Sequence, residues 1–355
     1  MINHLRLKAF KSLPDQIVTL KTLTILSGLN NSGKSSIIQA VRMYDRALQG
    51  FSPLLDGHGS ISEIRSKFSN KEEEIEITLK FLDEKEETLK LSEGQWSHPA
   101  SGPICCYIGA GRLGPQTVLP LRRSIDEFPY IGEKGEYVLD FIQKLGDAIV
   151  PDELHHTSSQ GKTLLYELAG WLSEIAPGVE IEMSLDQKSD SARAEFDSFR
   201  PANVGFGLSY TLPILVSILG MAARAPSSGW EEKWGDRWEE KRNSAGVLLV
   251  IENPEAHLHP QGQTAMGRLL TIAASCGVQI IVETHSDHLI DGVRIAVKDG
   301  ILDPEAVELH YLSKSKEGTS LITTPKLHKN GKLDFWPDGF FDQMLKNRAV
   351  LAKRD

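Results

Sequence analysis

The segment Gly28-Leu29-Asn30-Asn31-Ser32-Gly33-Lys34-Ser35 has the spacing G-x-x-x-x-G-K-[ST]. Glycines at its two ends let the backbone N–H groups curl around phosphate oxygens, and a following helix N-terminus adds partial positive charge. Lys34, expected to lie exposed at the loop–helix junction, is placed to reach the β- and γ-phosphates, and the Ser35 hydroxyl to hold Mg²⁺. Asn30, Asn31, Ser32 and Ser36 complete the predicted nucleotide-binding set. The flanks agree with this chemistry. Leu23 to Leu26 suit a buried strand, and Ile37, Ile38, Ala40, Val41, Tyr44, Ala47 and Leu48 recur at helical spacing after the lysine. Strand, loop and helix in that order predict a nucleoside triphosphate site.

Two further strands end in groups that could serve it. Val247 to Ile251 is wholly apolar and runs into Glu252-Asn253-Pro254-Glu255-Ala256-His257-Leu258-His259-Pro260. A carboxylate at the C-terminal edge of a buried strand is where a phosphate site holds its Mg²⁺. Val278 to Val282 is a second buried strand, ending Glu283-Thr284-His285-Ser286, and it offers the His285 ring for a γ-phosphate.

The chain has 355 residues, of which 40% are hydrophobic and 25% charged, the balance of a globular protein with a sizeable core. No apolar stretch is long enough to span a bilayer and no signal-peptide pattern opens the sequence, so a cytoplasmic chain without membrane contact is expected. Three cysteines, Cys105, Cys106 and Cys276, have no metal-ligand spacing and fit a reduced compartment. A net charge of −9 argues against a chain built to wrap nucleic acid. Lys314, Lys316, Lys326, Lys329 and Lys332 crowd one stretch, which reads first as a solvated hairpin surface and leaves DNA open as a partner.

Strands alternating with helices imply a largely parallel, covered sheet. The strands are expected at 2–27, 74–92, 104–108, 178–184, 192–199, 247–251, 278–283, 306–312 and 319–324. Long helices are expected at 209–223, 260–275 and 285–298, and a helical, irregular region at 124–176. No heptad run is long enough for a coiled-coil arm.

Taken together, the opening Leu5-Arg6-Leu7-Lys8-Ala9-Phe10-Lys11-Ser12, the phosphate loop, the Pro-Glu-Ala-His-Leu-His-Pro segment and the Glu-Thr-His-Ser tetrad resemble the ABC-type ATPase heads of the RecF and SMC branch. The chain is most similar to the compact ATPases of the overcoming-lysogenisation-defect type found in bacterial anti-phage loci. Within these it resembles a small group whose tail reads Trp336-Pro337-Asp338-Gly339-Phe340-Phe341. The resemblance implies an α/β P-loop NTPase fold of ABC-head type, with a mixed, mostly parallel sheet and a helical and irregular insertion. It implies an N-terminal ATPase lobe over 1–115, an insertion lobe over 116–200, a C-terminal ATPase lobe over 201–325 and a tail over 326–355. It also places Asn203-Val204-Gly205-Phe206-Gly207-Leu208-Ser209 as the signature loop, whose Val204, Gly205, Gly207 and Ser209 would cap the γ-phosphate of a nucleotide held by a second copy. Pro213 is then expected in the first turn of the helix that follows. His257 and His259 resemble the loop that crosses such a dimer, and His285 the switch histidine. A zinc site from His257, His259, His285 and His288 explains these four less well.

The sequence departs from the family in two places. The usual Asp-Glu pair is Glu252-Asn253 here. Either Glu252 is the metal ligand and the general base is an amide unable to take a proton, or Glu252 is the base and the metal position falls on Ile251. Both registers imply slow hydrolysis, or help from Glu255 or Glu283. The second departure is a long link, residues 226–244, in which Trp230, Trp234 and Trp238 sit four apart. On a helix they form one aromatic stripe, which packs either on the protein's own surface or against an effector subunit.

The expected function is an ATP-dependent, dimerising ATPase that switches an anti-phage effector carried on a partner subunit. A RecF-like DNA repair factor and a nearly non-hydrolysing ATP sensor are the alternatives. A GTPase is disfavoured because Asn70-Lys71 precedes its strand and continues with two glutamates. A built-in nuclease is disfavoured because little chain follows residue 300.

Overall fold

The computed structural model describes residues 1–122, 127–175, 181–186, 191–196, 206–337, 339 and 350–352. In chain order the elements begin with strands β1 (Ile2–Phe10), β2 (Leu13–Thr19) and β3 (Leu23–Gly28), then helices α1 (Lys34–Leu48) and α2 (Ile61–Ile64), then β4 (Ile75–Phe81), β5 (Glu86–Ser92) and β6 (Gln95–Trp96). There follow β7 (Ile104–Ile108), β8 (Leu119–Pro120), α3 (Val138–Leu145), α4 (Leu164–Ile175), β9 (Ile181–Asp186) and β10 (Ser191–Phe196). The remainder is α5 (Phe206–Ala222), α6 (Trp234–Ala245), β11 (Val247–Glu252), α7 (Pro260–Ser275), β12 (Gln279–Glu283), α8 (Asp287–Lys298), β13 (Val307–Lys314) and β14 (Ser320–Thr323).

The chain forms two compact units. One comprises Met1–Gly102, His285–Asp287 and Asp303–Asp355, the other Pro103–Thr284 and His288–Leu302. The last strands return to the beginning of the chain: β13 runs parallel to β3, with Tyr311 opposite Ser27 and Leu312 opposite Gly28.

In the first unit β1 pairs with both β2 and β4 in antiparallel register, and β4 continues to β5. Leu5, Leu7, Ile77, Leu79, Leu89 and Leu91 all face inward and are buried. The two-residue alternation in the sequence is therefore a sheet with one covered face. A second set, β3, β13 and β14, carries the phosphate loop. On α1 the expected apolar positions Ile37, Ile38, Ala40, Val41, Tyr44 and Ala47 are all buried, which anchors the helix that starts at the loop.

In the second unit β11 lies between β7 and β12, parallel to both. Val247 to Ile251 and Ile280 to Val282 are almost fully buried, as continuous apolar runs in a parallel sheet should be. Helix α5 is apolar on all sides: Leu212, Ile214, Leu215, Val216, Ile218 and Leu219 are all at most 3% exposed. Such a helix belongs inside the core. It starts at Phe206, so Pro213 lies in its interior rather than in its first turn, as expected from the sequence. A proline there gives up one backbone hydrogen bond. Its ring is accommodated by Gly135, where a Cβ would fall 2.5 Å from the ring. At 17 residues α5 is the longest described helix, so no coiled-coil arm appears among the described residues.

The tryptophan-rich link is part of this core. Trp234 and Trp238 are 0% and 1% exposed, and Trp230 is half-buried. Of the two alternatives for Trp230, Trp234 and Trp238, the burial of Trp234 and Trp238 fits packing on the protein's own surface rather than an exposed docking stripe: the Trp230 and Trp234 rings are tilted with centroids 4.9 Å apart, Trp234 and Trp238 meet edge-on at 6.3 Å, and Trp238 meets Phe128 edge-on at 5.3 Å. Helix α6 starts only at Trp234, and Trp230 folds back over it. A Cβ on Gly235 would lie 2.1 Å from Trp230, so the glycine is required by packing and does not merely weaken the helix. Further along α6 the buried Arg242 donates to the carbonyls of Met221, Ala222 and Ala223 at 2.9, 3.0 and 2.6 Å. These are the C-terminal carbonyls of α5, where a cation is favoured by both hydrogen bonding and the helix dipole.

Candidate functional site

The phosphate loop leaves β3 through Gly28, at φ 134°. The parallel neighbour β13 approaches so closely that a Cβ on Gly28 would sit 2.0 Å from the Leu312 carbonyl, which also accepts the Leu29 N–H at 3.3 Å. The loop closes at Gly33, φ 109°, beside the Ser320 hydroxyl, where a Cβ would sit 2.3 Å from Oγ. Ser320 in turn hydrogen-bonds Ser12 Oγ at 2.7 Å. Both glycines are thus imposed by contact with β13, β14 and the Ser12 turn as well as by loop curvature. Asn31 adopts φ 61°, a left-handed conformation that asparagine tolerates.

Lys34 is not the exposed side chain that the sequence suggests. It is 3% exposed, and its Nζ donates to the carbonyls of Gly28 and Leu29 at 3.0 and 2.9 Å. The ammonium therefore lies within the curl of the loop, at its centre. Ser32 is buried, Ser35 exposed and Ser36 half-buried, and the Ser36 and Ile37 N–H groups donate to Gly33 to begin α1. His285 is exposed. A cleft of about 250 Å³ is lined by Ser27–Asn30 together with His285, Tyr311 and Gly339. Of the sequence-predicted residues, Gly28, Asn30 and His285 line this cleft, and Leu29, Tyr311 and Gly339 are additions to it.

The acidic group is built in the second unit. Glu252 ends β11 directly opposite Glu283 of β12. Its Oε1 accepts from the Tyr107 hydroxyl at 3.1 Å and its Oε2 from the Ala110 N–H at 3.3 Å. Asn253 turns the chain at φ 46°, and its N–H donates to the Glu283 carbonyl at 2.8 Å. The turn is held from the other side by Arg112, which is 3% exposed. Its Nη1 donates to the carbonyls of Gly109 and Glu252 at 2.8 and 2.7 Å, and its Nη2 to that of Asn253 at 2.7 Å. Burial pushes the guanidinium below its ordinary pKa, while the negative charges nearby, Glu255 foremost, oppose that shift. Glu255 and Glu283 are themselves buried.

Arg112 also lies over the Tyr210 ring of α5, 5.5 Å from its centroid. Tyr210 packs on the His257 ring at 4.6 Å, and His257 has φ 65°. A Cβ on Gly207 would come within 3.2 Å of the His257 carbonyl, so the start of α5 is fitted against the loop after β11. Asn203, Val204 and Gly205 of the expected signature loop lie outside the described residues. Gly207 and Ser209 lie in the first turn of α5 and are half-buried. His259 caps α7 from an extended backbone just before Pro260.

Sequence reading missed Arg112, Tyr107 and Tyr210. The loop Gly109-Ala110-Gly111-Arg112 after an apolar strand was visible, but nothing in spacing alone tells which distant carbonyls an arginine will find. Among the described residues no group of three or more His, Cys, Asp or Glu is placed to hold a metal, and the four histidines considered for zinc do not form one. One hydroxyl and one carboxylate, Ser35 and Glu252, are oxygen donors of the kind a hard Mg²⁺ takes when nucleotide oxygens and water supply the rest.

The family described as AAA ATPase domain matches residues 1–164 and 180–290. A second, described as a protein of unknown function (DUF3696), matches residues 302–351. No curated protein is a significant match. Among solved structures the chain is similar to an SMC head bound to the C-winged helix domain of ScpA, at 16% identity and TM-score 0.57, covering 92% of this chain and 98% of that one. It is also similar to an SMC head with an extended coiled coil, bound to the C-terminal domain of ScpA and derived from Pyrococcus furiosus. That match has 13% identity and TM-score 0.52, covering 99% of both chains. The fold is that of an ABC-type ATPase head.

Proposed function

The chain belongs to the AAA ATPase domain family, and from that premise we propose that it is an ATP-binding switch whose two copies close on nucleotide and whose turnover is slow. The observation that carries this reading is the loop itself, with Lys34 Nζ drawn to its centre between the Gly28 and Leu29 carbonyls. A loop of this form binds phosphate through backbone N–H groups, a lysine and a helix N-terminus. In this reading Gly28, Asn30, Asn31, Ser32, Gly33, Lys34, Ser35 and Ser36 hold ATP, and Ser35 and Glu252 hold Mg²⁺, which neutralises phosphate charge. His285 faces the γ-phosphate, and Val204, Gly205, Gly207 and Ser209 meet the nucleotide of the second copy.

Slow turnover follows from the acidic turn. Glu252 already accepts hydrogen bonds from Tyr107 and Ala110, and the Asn253 amide cannot take a proton from water. The same observation favours a second reading, an ATP sensor that hardly hydrolyses. The anti-phage role, with effector chemistry on a partner subunit, is supported by the resemblance of the motifs and tail alone. A RecF-like role would appear as salt-dependent DNA binding by the isolated protein.

Light scattering with Mg²⁺ and a slowly hydrolysed ATP analogue tests the switch. A dimer is expected with nucleotide and not without it, and Gly207→Glu should prevent it by steric and charge conflict. A dimer equally stable without nucleotide and indifferent to Gly207→Glu removes the switch.

A further inference from the structure

Two residues of the segment after β11 have left-handed backbones, Asn253 at φ 46° and His257 at φ 65°. Neither is glycine, and a fold keeps such a conformation only where the surroundings over-determine it. Between them the chain makes two consecutive turns. The Ala256 N–H donates to the Asn253 carbonyl at 3.1 Å, and the Leu258 N–H to that of Glu255 at 3.0 Å. Left-handed residues at both ends of a segment that carries Glu252 and Asn253 raise the question of what holds them.

Each end has its own anchor. At Asn253 it is Arg112, whose Nη2 takes that residue's carbonyl while Nη1 takes the carbonyl of Glu252. At His257 it is the start of α5: a Cβ on Gly207 would come within 3.2 Å of the His257 carbonyl, and the Tyr210 and His257 rings pack with centroids 4.6 Å apart. Tyr210 belongs to both anchors. The guanidinium carbon of Arg112 lies 5.5 Å from the centre of the same ring, within cation–π range. One half-buried ring of α5 thus joins the two ends of the segment, and all of these residues lie in the second unit.

We propose that Tyr210 is a positioning residue for ATP turnover, which acts through Arg112 and His257 to hold both ends of the segment that presents Glu252 and Asn253. The proposal rests on the reading of the chain as an ATPase and adds α5 to the parts that set its rate. An aromatic face suits a guanidinium on one side and an imidazole on the other, whereas an aliphatic side chain offers neither a quadrupole nor a flat surface. Without the ring, Asn253 and His257 are free to relax from their left-handed backbones. The carboxylate of Glu252 then shifts, and a shift of about 1 Å in a positioned group costs up to about 100-fold in rate. The phosphate loop lies on a different strand and keeps its affinity.

Single-turnover phosphate release and equilibrium binding of a fluorescent ATP analogue, both with Mg²⁺ and the full chain, test this. Tyr210→Leu should slow release by about tenfold or more while binding the analogue within about twofold of wild type. Tyr210→Met, a second variant without a ring, should behave in the same way and serves if the leucine variant does not fold. Tyr210→Phe keeps the ring and should restore release to within about threefold of wild type. Hydrogen exchange without nucleotide should quicken at residues 253–258 in the two ringless variants and not in Tyr210→Phe. Undiminished release in the ringless variants overturns the proposal, and so does a phenylalanine variant as slow as they are. Unchanged exchange at 253–258 in those variants, or equal losses of affinity and release, also overturns it. A wild-type chain that binds the analogue but releases no phosphate removes the positioning role and leaves the ATP site standing. A wild-type chain that does not bind overturns the ATP reading itself.

Discussion

Arg112 Nη2 donates to the backbone carbonyl of Asn253 at 2.7 Å, from a loop 141 residues earlier in the chain. With its Nη1 on Glu252 and Gly109, the guanidinium fixes the turn that follows β11 from behind, and Tyr210 covers its face. A planar, forked donor suits several carbonyls at once, which a lysine cannot match. Arg112→Lys and Arg112→Met should therefore lower stability, the second by about 3 kcal/mol, because buried carbonyls are left without donors. ATP turnover should fall in both while ATP affinity, set by the phosphate loop, stays near wild type. Titration calorimetry and steady-state phosphate release check this split; equal losses in affinity and turnover would show that Arg112 acts on the whole fold.

Lys34→Ala should abolish ATP binding. Its ammonium is buried in the loop, where it satisfies two carbonyls, so the variant should also lose about 1 kcal/mol of stability. Thermal denaturation with and without Mg·ATP reads both effects. Stabilisation of the variant by ATP as large as that of wild type would rule out the phosphate loop as the site.

Asn253→Glu should raise turnover and Glu252→Gln should lower it. A positioned base is worth about 100- to 10,000-fold in rate. The gain will be offset in stability, since glutamate tolerates φ 46° less well than asparagine, by about 1 kcal/mol. If Asn253→Glu is slower and Glu252→Gln is inactive, Glu252 is itself the base. Phosphate release under single-turnover conditions distinguishes the two outcomes.

Trp234→Ala should cost about 3–5 kcal/mol, the range for deleting a large buried aromatic side chain. Trp238→Ala should cost a similar amount and lose the edge-on contact with Phe128. Chemical denaturation is the measurement. Losses below about 1 kcal/mol in both would return the stripe to the surface and reopen it as a docking face.

Much of the site was legible in the residues because its chemistry is local. Gly28 to Ser35 are contiguous, and the strand before them and the apolar spacing of α1 after them follow from side-chain period. The start and end of α7, Pro260–Ser275, follow equally from a proline at its first turn and a glycine two residues past its end. The carboxylate at the end of β11 and the histidine after β12 were visible for the same reason: an apolar run that stops at a charged residue marks a strand edge.

What the tertiary structure alone decided are relations between residues far apart in sequence. Lys34 is buried because the carbonyls of its own loop turn inward, a matter of φ at Gly28 and Gly33 rather than of residue type. Trp234 and Trp238 are equally consistent with a surface stripe or a core, and the choice was made by Phe128 and by Arg242 tying α6 to the end of α5. The glycine at 28 reads from sequence as a loop residue. In space it is also the one residue that lets β13 lie against the loop, since any Cβ would meet the Leu312 carbonyl. Periodicity and short motifs report what a segment does with its neighbours in the chain. They carry no information on which distant backbone will occupy the space that a missing side chain leaves, and close packing is what assigns it.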